Sequence, residues 1–318
     1  MGKKSRLGGW WKAALVLVCG IALFAAGGKV ALMAYAALEA KGCFPPEPLV
    51  TMDEWKAQGE VTFVAVGDMG TGETQQLRVS QAMEQVCQEK GCDFVLGLGD
   101  NFYPAGVQGL RDPLFGNYFE AVYGPLNLPF FTVLGNHDLK GNIEAQRLYT
   151  LVSELWRMPS YDYRFKAGPV SLFGVNSNCE AFSWPRLHGW LAKAPQQDWK
   201  LVFTHHNLYG SGAHQDAPVL ERGLWQLMFG SKVDLHLSGH EHQLEHLQIA
   251  GTETDYLISG GGGAAYGGPK DPKPREGSKF LHPGQGFLWV HASPKRLELE
   301  FFDLYGASVY RYQRTRKE

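Results

Sequence analysis

Five short apolar runs in this chain end in side chains of the kinds that bind metal. The first ends in Gly67-Asp68-Met69-Gly70, the second in Gly99-Asp100-Asn101-Phe102-Tyr103 and the third in Gly135-Asn136-His137-Asp138. A later run ends at His205, and another in Gly239-His240-Glu241-His242. A single Gly-Asp is an ordinary turn, and a single Asn-His an ordinary helix cap. Their recurrence in order, each at the end of a run, is not turn chemistry. Carboxylate, phenolate, amide and imidazole donors together suit iron, zinc or manganese rather than thiolate-seeking metals. They outnumber the positions around one ion and fit two ions sharing a bridging carboxylate. Two ions about 4 Å apart are a device for in-line displacement at phosphorus, activating water and clamping the phosphoryl oxygens.

The elements that must hold these groups follow from periodicity. Apolar, β-branched or aromatic runs at 61–66, 94–98, 130–134, 170–175, 201–204, 233–237, 256–258, 287–290 and 297–302 read as strands. Helical patterns separate the earlier ones. The clearest covers 73–90, with Leu77, Met83 and Val86 toward one face and Gly91 placed to stop it. Strands alternating with helices, then strands crowding the C-terminal third, predict an α/β layered domain that ends in antiparallel pairing. In an open α/β sheet, the C-terminal strand edge is where ligands bind. The Gly- and Pro-rich stretch 260–286, with Lys270, Lys273, Arg275 and Lys279, reads as a long surface loop whose Gly260 to Gly263 run turns beside the site.

The order of motifs, with Leu98-Gly99-Asp100-Asn101-Phe102-Tyr103 and Gly135-Asn136-His137-Asp138 as its most specific parts, resembles the calcineurin-like metallophosphoesterases. Within them it is similar to the purple acid phosphatases of the small tartrate-resistant type, from about Val61 to Tyr312. The resemblance implies a four-layer metallophosphatase-type α/β fold, a central β-sandwich flanked by helices. It implies that Asp68, Asp100, Tyr103 and His242 hold one ion, Fe(III), and that Asn136, His205 and His240 hold a second, Fe(II), Zn or Mn, with Asp100 bridging. It further implies that His137 and His214 face the substrate and leaving group. The implied reaction is hydrolysis of small phosphomonoesters or phosphoproteins by a metal-bound hydroxide, with those histidines assisting binding and protonating the leaving group. Met69, Asn176 and Gln243 depart from the residues usual in the family, none of them at a ligand position.

Other signals carry less. His242-Gln243-Leu244-Glu245-His246 spells a zinc-peptidase motif, but that motif needs a helix, and the segment lies between β-like stretches. No Gly-Lys-Ser/Thr follows Gly260 to Gly263, so no P-loop is present, and no Ser lies in a GxSxG frame. His206 competes with His205; the nine-residue step to His214 favours His205. Trp156, Trp184, Trp190, Trp199 and Trp225 read as packing residues.

The 318 residues are 44% hydrophobic and 19% charged, enough for a core and too little charge for disorder. A formal charge of −2 gives no general attraction to nucleic acid. Lys3, Lys4, Arg6, Lys12 and Lys29 fall within 1–38, which has no acid; without those five charges the remainder stands at −7. Together with the apolar runs 13–28 and 30–38, this marks 1–38 as a signal peptide or a signal-anchor helix. Ala34 and Ala36 offer a cleavage site, while the combined length suits an anchor. Segment 39–60, with Pro45, Pro46 and Pro48, reads as a stiff linker, and 61–318 as the catalytic domain. The basic flank keeps the N-terminus in the cytoplasm and sends the domain out of it: secreted, periplasmic, lumenal, or tethered to a membrane through the N-terminal segment. There Cys43, Cys87, Cys92 and Cys179 can form disulfides, with three pairings open. The alternatives are a Mn- or Zn-dependent phosphodiesterase or nucleotidase of the same superfamily and a non-catalytic, membrane-tethered metal-binding protein.

Overall fold

The computed structural model describes residues 33–50, 54–56, 59–269 and 272–316. Most of the expected targeting segment therefore lies outside the described residues, among which no helix is long and apolar enough to cross a membrane. In chain order the strands are β1 Glu54–Lys56, β2 Val61–Val66, β3 Phe94–Gly97, β4 Phe130–Thr132, β5 Trp156–Arg157, β6 Tyr163–Ala167, β7 Val170–Gly174 and β8 Trp199–Phe203. There follow β9 Leu235–Ser238, β10 Leu244–Gln248, β11 Asp255–Ser259, β12 Ser278–His282, β13 Gly286–Ala292, β14 Arg296–Asp303 and β15 Ser308–Thr315. They form one sheet in the order β1-β6-β7-β8-β9-β11-β10-β12 and another in the order β15-β14-β13-β2-β3-β4-β5.

The two-residue strand period builds the layers. Val61, Phe63 and Ala65 of β2 and Trp199, Leu201 and Phe203 of β8 point into a core between the sheets. Val64 and Val66 point the other way, onto the helix Thr74–Lys90. Val202 points to the opposite outer layer, made by the helices Glu180–Leu191 and Val219–Phe229. Helix, sheet, sheet and helix give the four layers that the resemblance implies. Trp156, Trp199 and Trp225 are among the fully buried side chains, and Trp184 and Trp190 pack with Trp225 in the outer helical layer.

Several local expectations change. Leu77 is exposed; the buried face of its helix is Val79, Ala82, Met83 and Val86, the true i, i+3, i+4, i+7 set. Gly91 does end that helix, at φ 81° with its N–H bonded to the Cys87 carbonyl. The 260–286 stretch is not all loop, because β12 pairs antiparallel with β10. The linker residues that are described are tied down: Cys43 is bonded to Cys179, Ser160 donates to the Pro46 carbonyl, and β1 pairs with β6. The second disulfide is Cys87–Cys92. Asn176 donates from Nδ2 to the Lys41 carbonyl at 2.8 Å, a bond that an ionised carboxylate at that position could not make.

His246 lies in strand β10, fully buried, with Nε2 3.0 Å from Asp255 Oδ1 and Nδ1 2.9 Å from the Tyr310 hydroxyl. Burial would raise the Asp255 carboxyl, but hydrogen bonds from His246, Arg314 and Gln248 outweigh it and hold the group below its ordinary value. Its stabilisation is present above the unfolded value near 4 and is lost as pH falls through the lower folded one. Asp255→Asn is therefore expected to cost about 2 kcal/mol at neutral pH. In thermal melts, its deficit relative to the parent should shrink below about pH 4; a deficit independent of pH would count against this account.

Candidate metal centre

The turns after β2, β3 and β4 of one sheet and β8 and β9 of the other converge on one point. Three of their residues hold positive φ without being glycine: Asp68 at 58°, Asp100 at 51° and His240 at 69°. That strain is tolerated where surrounding structure over-determines it. Close packing helps to do so: a Cβ on Gly135 would lie 2.2 Å from both the backbone N and Oδ1 of Asp100.

Each carboxylate divides its oxygens between scaffold and site. Asp68 Oδ2 accepts the His240 N–H at 2.8 Å, and Asp100 Oδ1 accepts the His137 N–H at 2.8 Å. The other oxygens face inward. Tyr103 Oη lies 3.0 Å from Asp68 Oδ1, 2.9 Å from Asp100 Oδ2 and 3.2 Å from His242 Nε2. On the opposite side, His205 Nε2 lies 3.5 Å from Asp100 Oδ2, 3.0 Å from Asn136 Oδ1 and 3.2 Å from His240 Nδ1. Asp100 Oδ2 thus stands between two donor sets. His205 Nδ1 lies 2.9 Å from the Leu98 carbonyl and His242 Nδ1 2.7 Å from the Ala265 carbonyl; an N–H at each leaves Nε2 as a lone pair toward the site.

The electrostatics of these groups by themselves call for cations. Burial, then the charges of Asp68 and Asp100, push the Tyr103 phenol far above its ordinary value. Burial, then the surrounding imidazoles, hold His240 far below. Burial would lower His242, but Asp68 and Asp100 overturn that and lift it to about 9. Crowded acceptors that compete for one proton are satisfied together by metal ions. The residues present fit a cation pair: nitrogen or carboxylate atoms of Asp68, Asp100 and His205 lie within 4.8 Å of one another, as do those of His205, His206 and His240. His206 stays at the margin, with Nδ1 2.8 Å from Ser177 Oγ and its ring 4.6 Å from that of His240.

His137 and His214 flank this cluster. His137 Nδ1 lies 2.7 Å from the Pro104 carbonyl, and its Nε2 is 4.0 Å from Asp100 Oδ2. His214 is half exposed, its ring stacked 4.0 Å over His240. A cavity of about 420 Å³ opens beside His214, lined in part by Lys41, Asn178, His206, His214, Pro218 and His240.

Two supporting residues have no assignment from the sequence, although both lie inside the motifs. Buried Asp138 accepts from Asn101 N, Gly135 N and Gln146 Nε2, pinning together the turns after β3 and β4. Glu241 Oε1 accepts the N–H groups of both His214 and Gln215 at 2.7 Å. Glu245 in turn accepts from Ser211, and Gln243 donates to it, so alternate residues of one segment clamp the 210–216 loop. Glu241→Ala should lower kcat/KM for an aryl phosphate by about 10- to 100-fold with metal content retained. Loss of metal with the activity would assign Glu241 to the centre itself.

A model of the calcineurin-like phosphoesterase family matches residues 61–244. Purple acid phosphatase 3 of Arabidopsis thaliana is 31% identical over 293 residues, 83% of this chain and 80% of that one. Tartrate-resistant acid phosphatase type 5 of Mus musculus is 30% identical, over 80% of this chain and 90% of the other. Among solved structures, GAP50, described as the anchor in the inner membrane complex of Plasmodium, aligns with a TM-score of 0.72 at 24% identity, covering 82% of this chain and 90% of that one.

Proposed function

The chain belongs to the calcineurin-like phosphoesterases and, within them, to the purple acid phosphatases, and on that premise we propose that it is an acid phosphatase that hydrolyses phosphate monoesters. Asp68, Tyr103 and His242 would hold Fe(III), Asn136, His205 and His240 would hold Fe(II), Zn or Mn, and Asp100 would serve both. When bound, such a pair supplies an activated water at acidic pH and neutralises charge on the phosphoryl oxygens.

The remaining work falls to the chain's own groups. An N–H at His137 Nδ1 held by the Pro104 carbonyl leaves Nε2 directed to the site; protonated there, it donates to the departing alkoxide. His214, on the loop clamped by Glu241, faces the phosphoryl group from the other side. Asp138 keeps the turns bearing Asp100 and Asn136 in register. The cavity beside His214 and His240 gives access to the site from the His214 side. Small phosphomonoesters and phosphoproteins are the substrate class, and nucleic acid is not a partner, given the formal charge of −2. Residues 61–318 are the catalytic domain, placed outside the cytoplasm by the basic, apolar segment 1–38.

The observation that carries this reading is Asp100 Oδ2, set between Tyr103 on one side and His205 on the other. The test is rate against substrate type. An aryl phosphomonoester should be turned over with an acidic optimum, and an aryl phosphodiester at least about tenfold more slowly. Preference for the diester by a colourless protein would move the assignment to a Mn- or Zn-dependent phosphodiesterase. No turnover of either by metal-loaded protein would leave a binding protein.

A further inference from the structure

We propose that the outward face of the helix Val219–Phe229 docks on a phospholipid bilayer, beside the point where the N-terminal segment joins the domain. The proposal rests on the reading of 1–38 as an anchor and adds a second membrane contact to it.

One side of this helix is fixed in the protein: Trp225 and Phe229 are buried, packed against Trp184. The other side carries Val219, Leu220, Leu224 and Leu227 at 75, 75, 42 and 81% exposure. Leu220, Leu224 and Leu227 follow the i, i+4, i+7 spacing of one helical stripe. No charged side chain interrupts it; the nearby Arg222 turns away to Asp216 at 2.7 Å. A contiguous apolar surface of this kind marks an interaction site.

The course of the chain says what covers it. Residues 33–40 are helical, and Cys43 is bonded to Cys179 at the start of the neighbouring helix Glu180–Leu191. Tyr35 stacks on Phe44 at 4.9 Å, and Phe44 meets Phe182 edge-on at 5.4 Å. The apolar N-terminal sequence thus joins the same two-helix layer that presents the aliphatic stripe, and Met33 and Tyr35 are exposed at the junction. Lys41, just after that junction, shares a cavity wall with Pro218 and Glu221 at the start of the stripe, so an anchor there brings the bilayer to this side of the domain. A short amphipathic surface binds lipid only marginally by itself, but a tethered one acts at high effective concentration. Lys232, with Nζ 3.3 Å from His188 Nε2, adds a basic side chain suited to anionic headgroups near the stripe's C-terminal end. The cavity beside the metal centre includes Lys41, Pro218 and Glu221 in its wall, so the site opens at the rim of this face.

The test uses the full chain in phosphatidylcholine vesicles containing phosphatidylglycerol and a diazirine-bearing phosphatidylcholine, photolysed and read by peptide mass spectrometry. Carbene adducts are expected in 219–229 as well as in 1–38. The L220Q/L224Q/L227Q variant should lose at least about nine-tenths of the 219–229 adducts while keeping those in 1–38 and its aryl phosphatase activity. Adducts in 219–229 with none in 1–38 would remove the anchor reading and leave the docking face standing. Adducts confined to 1–38 would overturn the proposal.

Discussion

Asp100→Asn is expected to lower kcat for an aryl phosphate by about a thousandfold, ~4 kcal/mol of transition-state stabilisation. The size follows from position. Among the described residues, Asp100 Oδ2 is the carboxylate oxygen within 3.5 Å of both Tyr103 Oη, at 2.9 Å, and His205 Nε2, at 3.5 Å. Its partner oxygen is already committed to the His137 N–H. An amide keeps the shape and removes the charge that both donor sets share, so metal content should fall from two ions per chain along with the rate. Steady-state kinetics beside metal analysis of the same preparation reads both. Unchanged metal content with the rate lost would make Asp100 a group of the chemical step alone.

Tyr103→Phe is expected to abolish visible absorption while the protein stays folded. Tyr103 Oη is pressed between Asp68 and Asp100 in a buried setting that disfavours the phenolate unless a cation stands beside it. With Fe(III) there, phenolate-to-metal charge transfer supplies colour, and only this phenol among the proposed ligands could supply it. A variant that keeps its visible band would place the chromophore elsewhere. A colourless parent that still hydrolyses aryl phosphate would keep the fold and replace iron by Zn or Mn.

Much of this centre was legible in the sequence because its residues sit in turns that directly follow apolar strands. Gly-Asp after β2 and β3, Asn-His after β4 and His-x-His after β9 are local patterns, so reading along the chain finds them. What was not legible depends on partners far apart in sequence. The Cys43–Cys179 bond closes a separation of 136 residues, and nothing local selects it over the other pairings. Strands β6 and β15 interleave charged residues with aromatic ones, as in Tyr163-Arg164-Phe165-Lys166 and Tyr310-Arg311-Tyr312, and lack the continuous apolar run of a buried strand. Leu77 faces solvent although it is apolar, since hydrophobicity without an exact helical phase says little about one position. Asp138 and Glu241 stood inside recognised motifs, yet their roles are hydrogen bonds to backbone groups of other turns, visible only when those turns are brought together.

The most direct measurement is turnover of an aryl phosphomonoester from about pH 4 to 8 by the purified full chain, with metal content determined on the same samples through chelation and reloading. The account predicts an acidic optimum and a rate that rises with metal content and saturates at two ions per chain. A rate unaffected by stripping the metal, or no hydrolysis at two ions per chain, would contradict it.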